Sequence, residues 1–452
     1  MKTTRRQLLA GAAAVSAAAL LRPTSPALAQ AAQLPPIVFC HGNGDHAALW
    51  MTTLWRFAQN GWPKDRLVAF NFTDPLARSD DAVPMPGRSG TEDQLRELTA
   101  VVRATLARTG AQRLALVGSS RGGNAIRNLV VLADGASQVS HAVLCGTPNR
   151  GVFNWPQAPG SEFNGAGPFL TRLNARDSDV VPGTAFMTLY SEGNDKFAQP
   201  DGRLIGRPGV ATGITTEGPT LRGATNVGLG QLDHREVAFH PRAFREIYRF
   251  IAGREPGLIG VQPESEVVLD GLVTGNPRGA PTNRPVGGAD VEIWRIDPGT
   301  AARRGDALLK KTTGPDGRWG PVTVSPDDWL EFVLAVEGHP VTHTFRSPFP
   351  RSSDVVHLRP APPVAEAEQQ AGAIVRMTRP RGYFGIPRDI VVLDGREPSD
   401  ITRGVPTDAA TTVRLPAAEA GRPVVGLFNE ERVIARAVPL SENRIAIAEL
   451  TW

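Results

Sequence analysis

Cysteine is almost missing from this chain, with two in 452 residues, Cys40 and Cys145. That scarcity excludes a disulfide-stapled scaffold and leaves no Cys/His spacing of the metal-binding kind. Each cysteine ends a short apolar run and reads as a small buried side chain. A disulfide between them would need two neighbouring strand ends, which the sheet proposed below does not favour. His41 and His46 do not form the H-E-x-x-H pattern of a zinc helix. Aromatic residues make up only 6%, and no Lys/Arg block interleaves with them, so the footprint of a nucleic-acid binder is lacking. Nor is there an apolar run long enough for a stable membrane span: the stretch from Ala10 to Leu21 is short and Ala-rich.

That stretch has another reading. Thr4-Arg5-Arg6-Gln7-Leu8-Leu9 is a twin-arginine pattern, the apolar stretch follows, and Ala27-Leu28-Ala29 is an A-x-A cleavage site. Residues 1–29 are therefore expected to be an export signal, with a periplasmic or extracellular destination. Its Lys2, Arg5, Arg6 and Arg22, with no acid among them, account for the whole formal net charge of +4. The remaining length exceeds one ordinary domain. High Gly (47) and Pro (39) point to many turns.

The chain centres on Leu114-Ala115-Leu116-Val117-Gly118-Ser119-Ser120-Arg121-Gly122. An apolar strand runs into Gly-x-Ser-x-Gly, and Ile126, Leu129 and Val130 continue at helical spacing, which is the strand–turn–helix context of a nucleophile elbow. Ser120 is the candidate nucleophile. Gly118 and Gly122 allow neighbouring backbone to come close. Upstream, the buried-type strand Ile37–Cys40 leads into His41-Gly42-Asn43-Gly44. A Gly-rich turn there can aim backbone N–H groups at a developing alkoxide, and the amides of Asn43 and Arg121 are the candidate donors. His41 itself reads as a packing residue of the turn.

Between these, Trp50, Leu54 and Phe57 mark a helix face, and residues 67–72 a strand. Thr91-Glu92-Asp93-Gln94 opens a helix with a capping-box pattern that runs to Gly110. After the elbow come the strand Ala142–Cys145 and a long irregular stretch to Pro182 bearing Phe153, Trp155, Phe163 and Phe169. This stretch is either an apolar pocket or lid over the nucleophile, or a loop packed on its own aromatics. The strand Ala185–Tyr190 leads to Asp195, the candidate carboxylate that orients a histidine; its rival Asp201 sits in Pro-Asp-Gly, a turn signal. A short strand at Leu221–Asn226 precedes Leu232-Asp233-His234. His234, on a loop, is the candidate general base, while His240 caps the helix that ends at Gly253. Alternation of strands and helices predicts a mostly parallel sheet with helices on both faces, and the order Ser120, Asp195, His234 is that of α/β-hydrolases.

These pieces, with Gly146-Thr147-Pro148-Asn149 and Phe169-Leu170-Thr171-Arg172-Leu173-Asn174, resemble the secreted bacterial lipases of the α/β-hydrolase superfamily, in particular the lipase class 2 group, over roughly residues 35–253. The resemblance implies the α/β-hydrolase fold and cofactor-free hydrolysis of hydrophobic carboxylic esters, lipid or polyester, through an acyl-enzyme. It also implies Ser120 as nucleophile, His234 as base, Asp195 as orienter and the Asn43 and Arg121 amides as oxyanion donors. One departure is Arg121, where many lipases carry His, Met or Gln; its side chain is expected to put a charge at the pocket mouth.

Beyond the hydrolase unit (30–257) and a linker around Pro256 to Pro263, short alternating strands predict a β-sandwich over 263–360. It looks like the transthyretin-like or carboxypeptidase-regulatory-like modules of secreted enzymes. A Pro/Ala/Glu linker (360–370) and a second β-rich module over 371–452 follow. The layout is similar to lipases whose C-terminal β domains help to engage lipid, so a lipid-surface contact is one expectation and simple stabilisation the other. Val341–Pro350 reads as either an exposed apolar loop or an edge strand and turn. Asp177 and Asp179 could brace a calcium ion but read more readily as solvated loop acids. Polyester depolymerase, acyltransferase and inactive surface-binding protein remain the alternatives to a lipase or long-chain esterase.

Overall fold

In the computed structural model, which describes residues 34–452, six short strands form a parallel sheet; the expected export signal at 1–29 lies outside the described residues. The strands are β1 (Ile37–Cys40), β2 (Leu67–Phe70), β3 (Leu114–Ser119), β4 (Val139–Cys145), β5 (Ala185–Tyr190) and β6 (Thr225–Gly228), in the order β2-β1-β3-β4-β5-β6. Between them run α1 (Met51–Gln59), α2 (Thr91–Thr109), α3 (Arg121–Arg127) and α4 (Pro168–Leu173); α5 (Glu236–Phe239) and α6 (Pro241–Ala252) follow β6. Alternate side chains of each strand serve opposite faces. Val38, Cys40, Leu116, Ala142 and Leu144 pack with Leu98 and Val102 of α2 and Ile126 of α3. On the other face Phe39 meets Trp50 and Phe57, and Phe57 meets Phe244 and Tyr248 of α6. Burial on both faces is why β1, β3 and the second half of β4 read as continuous apolar runs. The result is an α/β-hydrolase architecture.

Local differences from expectation have physical causes. The cap of α2 is Gly90, not Thr91: Asp93 reaches back to the Gly90 N–H (2.9 Å), while Thr91 N–H donates to Asp81 (2.6 Å). The last strand begins at Thr225 rather than Leu221, because Asn226 folds the preceding residues into a turn through Leu221 N–H (2.9 Å) and Leu221 C=O (2.9 Å). Cys40 and Cys145 are free and buried, and β3 lies between their strands.

The C-terminal half is all β. It contains β7 (Val267–Leu269), β8 (Asp290–Ile296), β9 (Arg303–Thr312), β10 (Val322–Val324), β11 (Leu330–Ala335) and β12 (Val341–Arg346). It continues with β13 (Ala373–Thr378), β14 (Val391–Leu393), β15 (Ala410–Leu415), β16 (Pro423–Phe428), β17 (Glu431–Arg436) and β18 (Arg444–Glu449). A seven-stranded sheet runs β15-β13-β18-β12-β11-β8-β9, beside a β14-β16-β17 sheet and a β7/β10 pair. The segments 263–360 and 371–452 thus share one sheet, joined where β18 pairs in parallel with both β12 and β13. The 360–370 stretch connects two parts of one sheet. Val341–Arg346 is a central strand, neither an exposed loop nor an edge.

Nor is the 256–263 stretch a free linker. Asn60 exchanges hydrogen bonds with Leu258 (2.7 and 2.9 Å), and Arg56 donates to Ile259 C=O (3.0 Å). One apolar cluster mixes Ala47, Met51 and Trp55 of the hydrolase unit with Val267, Leu269, Trp319 and Phe332 of the β half. Trp55 also donates to Ser352 C=O (2.9 Å) and meets Trp452 edge to face. Sharing a core in this way makes the halves one cooperative unit. Calorimetry should therefore show a single unfolding transition, and Trp55→Ala should lower stability by about 3–5 kcal/mol in denaturant titration. A chain ending at Gly257 should lose native near-UV dichroism; two independent transitions would contradict the shared core.

Candidate functional site

Ser120 stands between β3 and α3 at φ 52°, ψ −120°, a region that costs a non-glycine residue on the order of 1–3 kcal/mol. The turn holds because nothing else fits its flanks. A Cβ at Gly118 would lie 2.7 Å from the Gly122 backbone, and one at Gly122 2.6 Å from the Cys40 and His41 carbonyl oxygens. The Ser120 N–H is held by Cys145 C=O at 2.8 Å. The His41–Asp45 turn comes directly alongside: a Cβ at Gly42 would lie 3.1 Å from Ser120 Cβ and 3.7 Å from its Oγ. Neither the Asn43 nor the Arg121 amide has an acceptor among the described residues, and the Asn43 side chain fixes its own turn by accepting from Ala77 N–H (2.7 Å).

His234 follows β6 and Asp195 follows β5; both are buried. His234 Nδ1–H donates to Asp195 Oδ2 at 2.8 Å, and Asp195 Oδ1 accepts the Phe197 N–H at 2.8 Å. The Phe197 ring meets the imidazole edge to face. This bond fixes the tautomer and leaves Nε2 as the available nitrogen. A Cβ at Gly146, the residue after the carbonyl that holds Ser120, would lie 3.4 Å from His234 Nδ1, so the histidine and the elbow flank the same end of β4. No hydrogen bond joins Ser120 to His234, a looseness common in free hydrolases. Asp201 caps a turn through Arg203 N–H (2.6 Å) and lies outside this arrangement. His41 is neutral: Nδ1–H donates to Gly42 C=O (2.8 Å), Nε2 accepts from Phe72 N–H (3.0 Å), and burial pushes its pKa down to about 4.

The Arg121 side chain is not at the pocket mouth. It is fully buried, paired with Glu162 (Nη2–Oε2 2.8 Å), and donates to Pro75 C=O (3.1 Å) and to Ser89 Oγ and C=O (3.0 and 2.6 Å). Burial pushes the Glu162 carboxyl up against the pull of Arg121. One guanidinium thus ties the 75–89 loop and the long insertion to the residue after the nucleophile. Within that insertion Phe153 stacks on Trp155 (4.5 Å), whose Nε1 donates to Ala211 C=O (2.9 Å), while Phe169 joins the sheet core. Phe153 and Trp155 thus pack the loop on itself and on the 211 segment, while Phe169 anchors it to the core. Asp179 is a buried acid held by Arg150 and Arg222, not a solvated one. Among the described residues no group of three or more His, Cys, Asp or Glu side chains is placed to hold a metal ion. No described helix is long and apolar enough to cross a membrane.

Several residues around the site come from the β half and carry no motif. Asn283 Nδ2 donates to Asp45 C=O and Phe72 C=O (both 2.9 Å), bracing the turn that carries Asn43. Arg379 binds Asp233 (2.9 Å) and Glu236 (2.6 Å), either side of His234, and Arg388 binds Glu236 (2.7 Å). Burial and the neighbouring Glu236 push the Asp233 carboxyl up; burial alone would raise Glu236 too, but Arg379 and Arg388 outweigh it and hold it down. The only hint in the sequence is the density of arginine in a Pro/Gly-rich stretch, Arg379-Pro380-Arg381-Gly382.

Arg121→Met should leave Glu162 buried without its partner and cost about 3–5 kcal/mol, with much of the loss regained in Arg121→Met/Glu162→Leu; denaturant titration of the double-mutant cycle measures it. At Asp179 burial alone would raise the carboxyl, but the Arg222 and Arg150 hydrogen bonds hold its pKa at about 2. Its contribution to stability should be complete above about pH 4 and lost as pH falls toward 2. Asp179→Asn should flatten that acid limb in a melting-temperature profile.

Residues 36–194 match the palmitoyl protein thioesterase family, and residues 265–363 match the lipase C-terminal domain family. A Bacillus licheniformis lipase in mature form is similar at 20% identity, with 48% of this chain and 92% of that one covered and a TM-score of 0.35. The same lipase in propeptide form covers 92% of each chain at 14% identity and a TM-score of 0.37. Aspergillus fumigatus lipase B matches at 14% identity, over 50% of this chain and 54% of that one, with a TM-score of 0.36. No score here reaches 0.5, so the likeness rests on the sheet topology and the two matched segments. In both, the chain resembles a lipase-like α/β-hydrolase that carries a C-terminal domain.

Proposed function

We propose that the protein is a carboxylic ester hydrolase acting on hydrophobic esters through an acyl-enzyme on Ser120. The observation that carries this reading is the buried 2.8 Å hydrogen bond from His234 Nδ1 to Asp195, set beside a strained serine elbow. Ser120 Oγ attacks the ester carbonyl carbon while His234 Nε2 takes the hydroxyl proton. Asp195 stabilises the imidazolium without itself being protonated. The negative oxygen of the tetrahedral intermediate accepts from the Asn43 and Arg121 amides, neither of which has a hydrogen-bond acceptor to give up among the described residues. The intermediate collapses, the C–O bond to the alcohol breaks, and His234 protonates the leaving alkoxide. Water then enters, gives its proton to His234 and its oxygen to the acyl carbon, and Ser120 leaves with the proton returned. No cofactor enters any step.

The family matched by residues 36–194 adds thioesters as a second substrate class; the same groups serve it, with a thiolate as the leaving group. The twin-arginine pattern at Arg5-Arg6 supports export, and with it a substrate met outside the cytoplasm.

Hydrolysis of p-nitrophenyl esters from acetate to palmitate tests the assignment. Ser120→Ala should lose at least about 10³-fold in kcat, and Asp195→Asn about 10⁴-fold through the wrong histidine tautomer. Rising kcat/KM toward long chains would mark a lipase-type preference. Full activity in folded Ser120→Ala would refute the serine mechanism.

A further inference from the structure

The loops that carry Asp195 and His234 both end on one segment of the β half. Asp233 Oδ1 accepts from Arg235 N–H (2.7 Å) and Glu236 N–H (2.8 Å), which shapes the turn at His234 and starts α5. Its other oxygen accepts from Tyr383 N–H (2.7 Å) and Arg379 Nη1 (2.9 Å). Glu236 takes Arg379 Nη2 (2.6 Å) and Arg388 Nη1 (2.7 Å) while also accepting from Asp233 N–H (2.7 Å). Arg388 reaches Gln231 C=O (3.1 Å), and Arg235 donates back to Pro380 C=O (2.9 Å). On the other loop Lys196, next to Asp195, donates to Thr407 C=O (3.0 Å) and sits over the Tyr383 ring at 4.1 Å. Asp233, Glu236, Arg379 and Arg388, with Asp389 paired to Arg388, form a largely buried cluster on the residues that flank His234 in the chain. Simple docking of the halves is already served by the apolar cluster around Trp55.

We propose that the Arg379–Arg388 segment is a positioning element of the catalytic site, which sets His234 against Asp195 and Ser120 by clamping the carboxylates on either side of the histidine. This rests on the ester-hydrolase reading above. It gives the β half a part in turnover itself, apart from any contact with a lipid surface. Arg379 touches no reacting atom; it acts through Asp233 and Glu236.

The charged groups on these two loops are Asp195, which binds His234, and Lys196 after β5, and Asp233, Arg235 and Glu236 beside His234 in the chain. From the His41–Asp45 turn comes Asp45, whose Oδ2 lies 3.7 Å from Arg235 Nε. The β half adds Arg379, Tyr383 and Arg388, with Asp389 paired to Arg388 (2.7 Å). In full-length protein, Arg379→Gln should lower kcat on p-nitrophenyl butyrate about 10- to 100-fold, because a small misplacement of a catalytic group is costly. KM should stay within about 2-fold. Arg379→Lys should restore part of the rate. Arg388→Gln, at a guanidinium 22% exposed, should show the same changes more weakly, and it decides the matter if Arg379→Gln does not fold. Folded Arg379→Gln or Arg388→Gln with wild-type kcat would overturn the proposal. If wild type itself turns over no ester and a fluorophosphonate does not label Ser120, the hydrolase reading fails. The clamp is then judged by the downfield NMR resonance of the His234 Nδ1–H held by Asp195, which should weaken or be lost in either variant.

Discussion

Buried charge is the constraint on which the rest of this molecule depends. Asp233 and Glu236, on either side of His234, are both out of water, where a carboxylate without a partner is held only at a cost of several kcal/mol. The hydrolase unit does not supply their cations; Arg379 and Arg388 come from the β half. The loop that presents the histidine is therefore complete only in the intact chain. Carboxylates in such a position make the approach of the two halves specific, since an apolar contact alone tolerates sliding while a bidentate guanidinium does not.

The same device recurs on the opposite side of the nucleophile. Arg121 draws Glu162, Pro75 and Ser89 onto one guanidinium, and Arg127 holds the end of α4 through Leu173 C=O (3.2 Å) and Asn174 (2.9 Å). Long loops at the strand ends are expensive to order. In a chain with two free cysteines, planar arginine forks do the ordering that covalent links would do in a disulfide-rich protein. Asn283 plays the neutral counterpart at the turn bearing Asn43. The strained Ser120 backbone persists because it is enclosed by such ties and by close-packed glycines.

Much of the fold was legible because its signals are local. Ile37–Cys40, Leu114–Val117 and Ala142–Cys145 are apolar without interruption since both faces of the sheet are covered, and a strand, a Gly-x-Ser-x-Gly turn and a helix read in line. Asp195 was legible by its place after an apolar strand, and His234 by its order in the chain and its place on a loop before a helix. Less legible were features that depend on a distant partner. Arg121 reads as a surface charge until Glu162, 41 residues away, is brought against it. Val341–Arg346 reads as an edge until β18, about a hundred residues later, closes over it. Asp179 reads as a solvated acid until Arg150 and Arg222 converge on it.

The sequence by itself determined the parallel sheet, the elbow at Ser120, the identity of Asp195 and His234 as the pair after β5 and β6, and the all-β character of the second half. Periodicity and turn chemistry act over a few residues and need no knowledge of the rest. Only the tertiary structure decided that residues 263–360 and 371–452 share one sheet. It alone decided that the Arg121 charge is buried, and that Arg379, Arg388 and Asn283 brace the site from the far half of the chain. The physical reason is that pairing between strands and between buried charges joins residues hundreds of positions apart, and nothing in either partner's neighbourhood names the other.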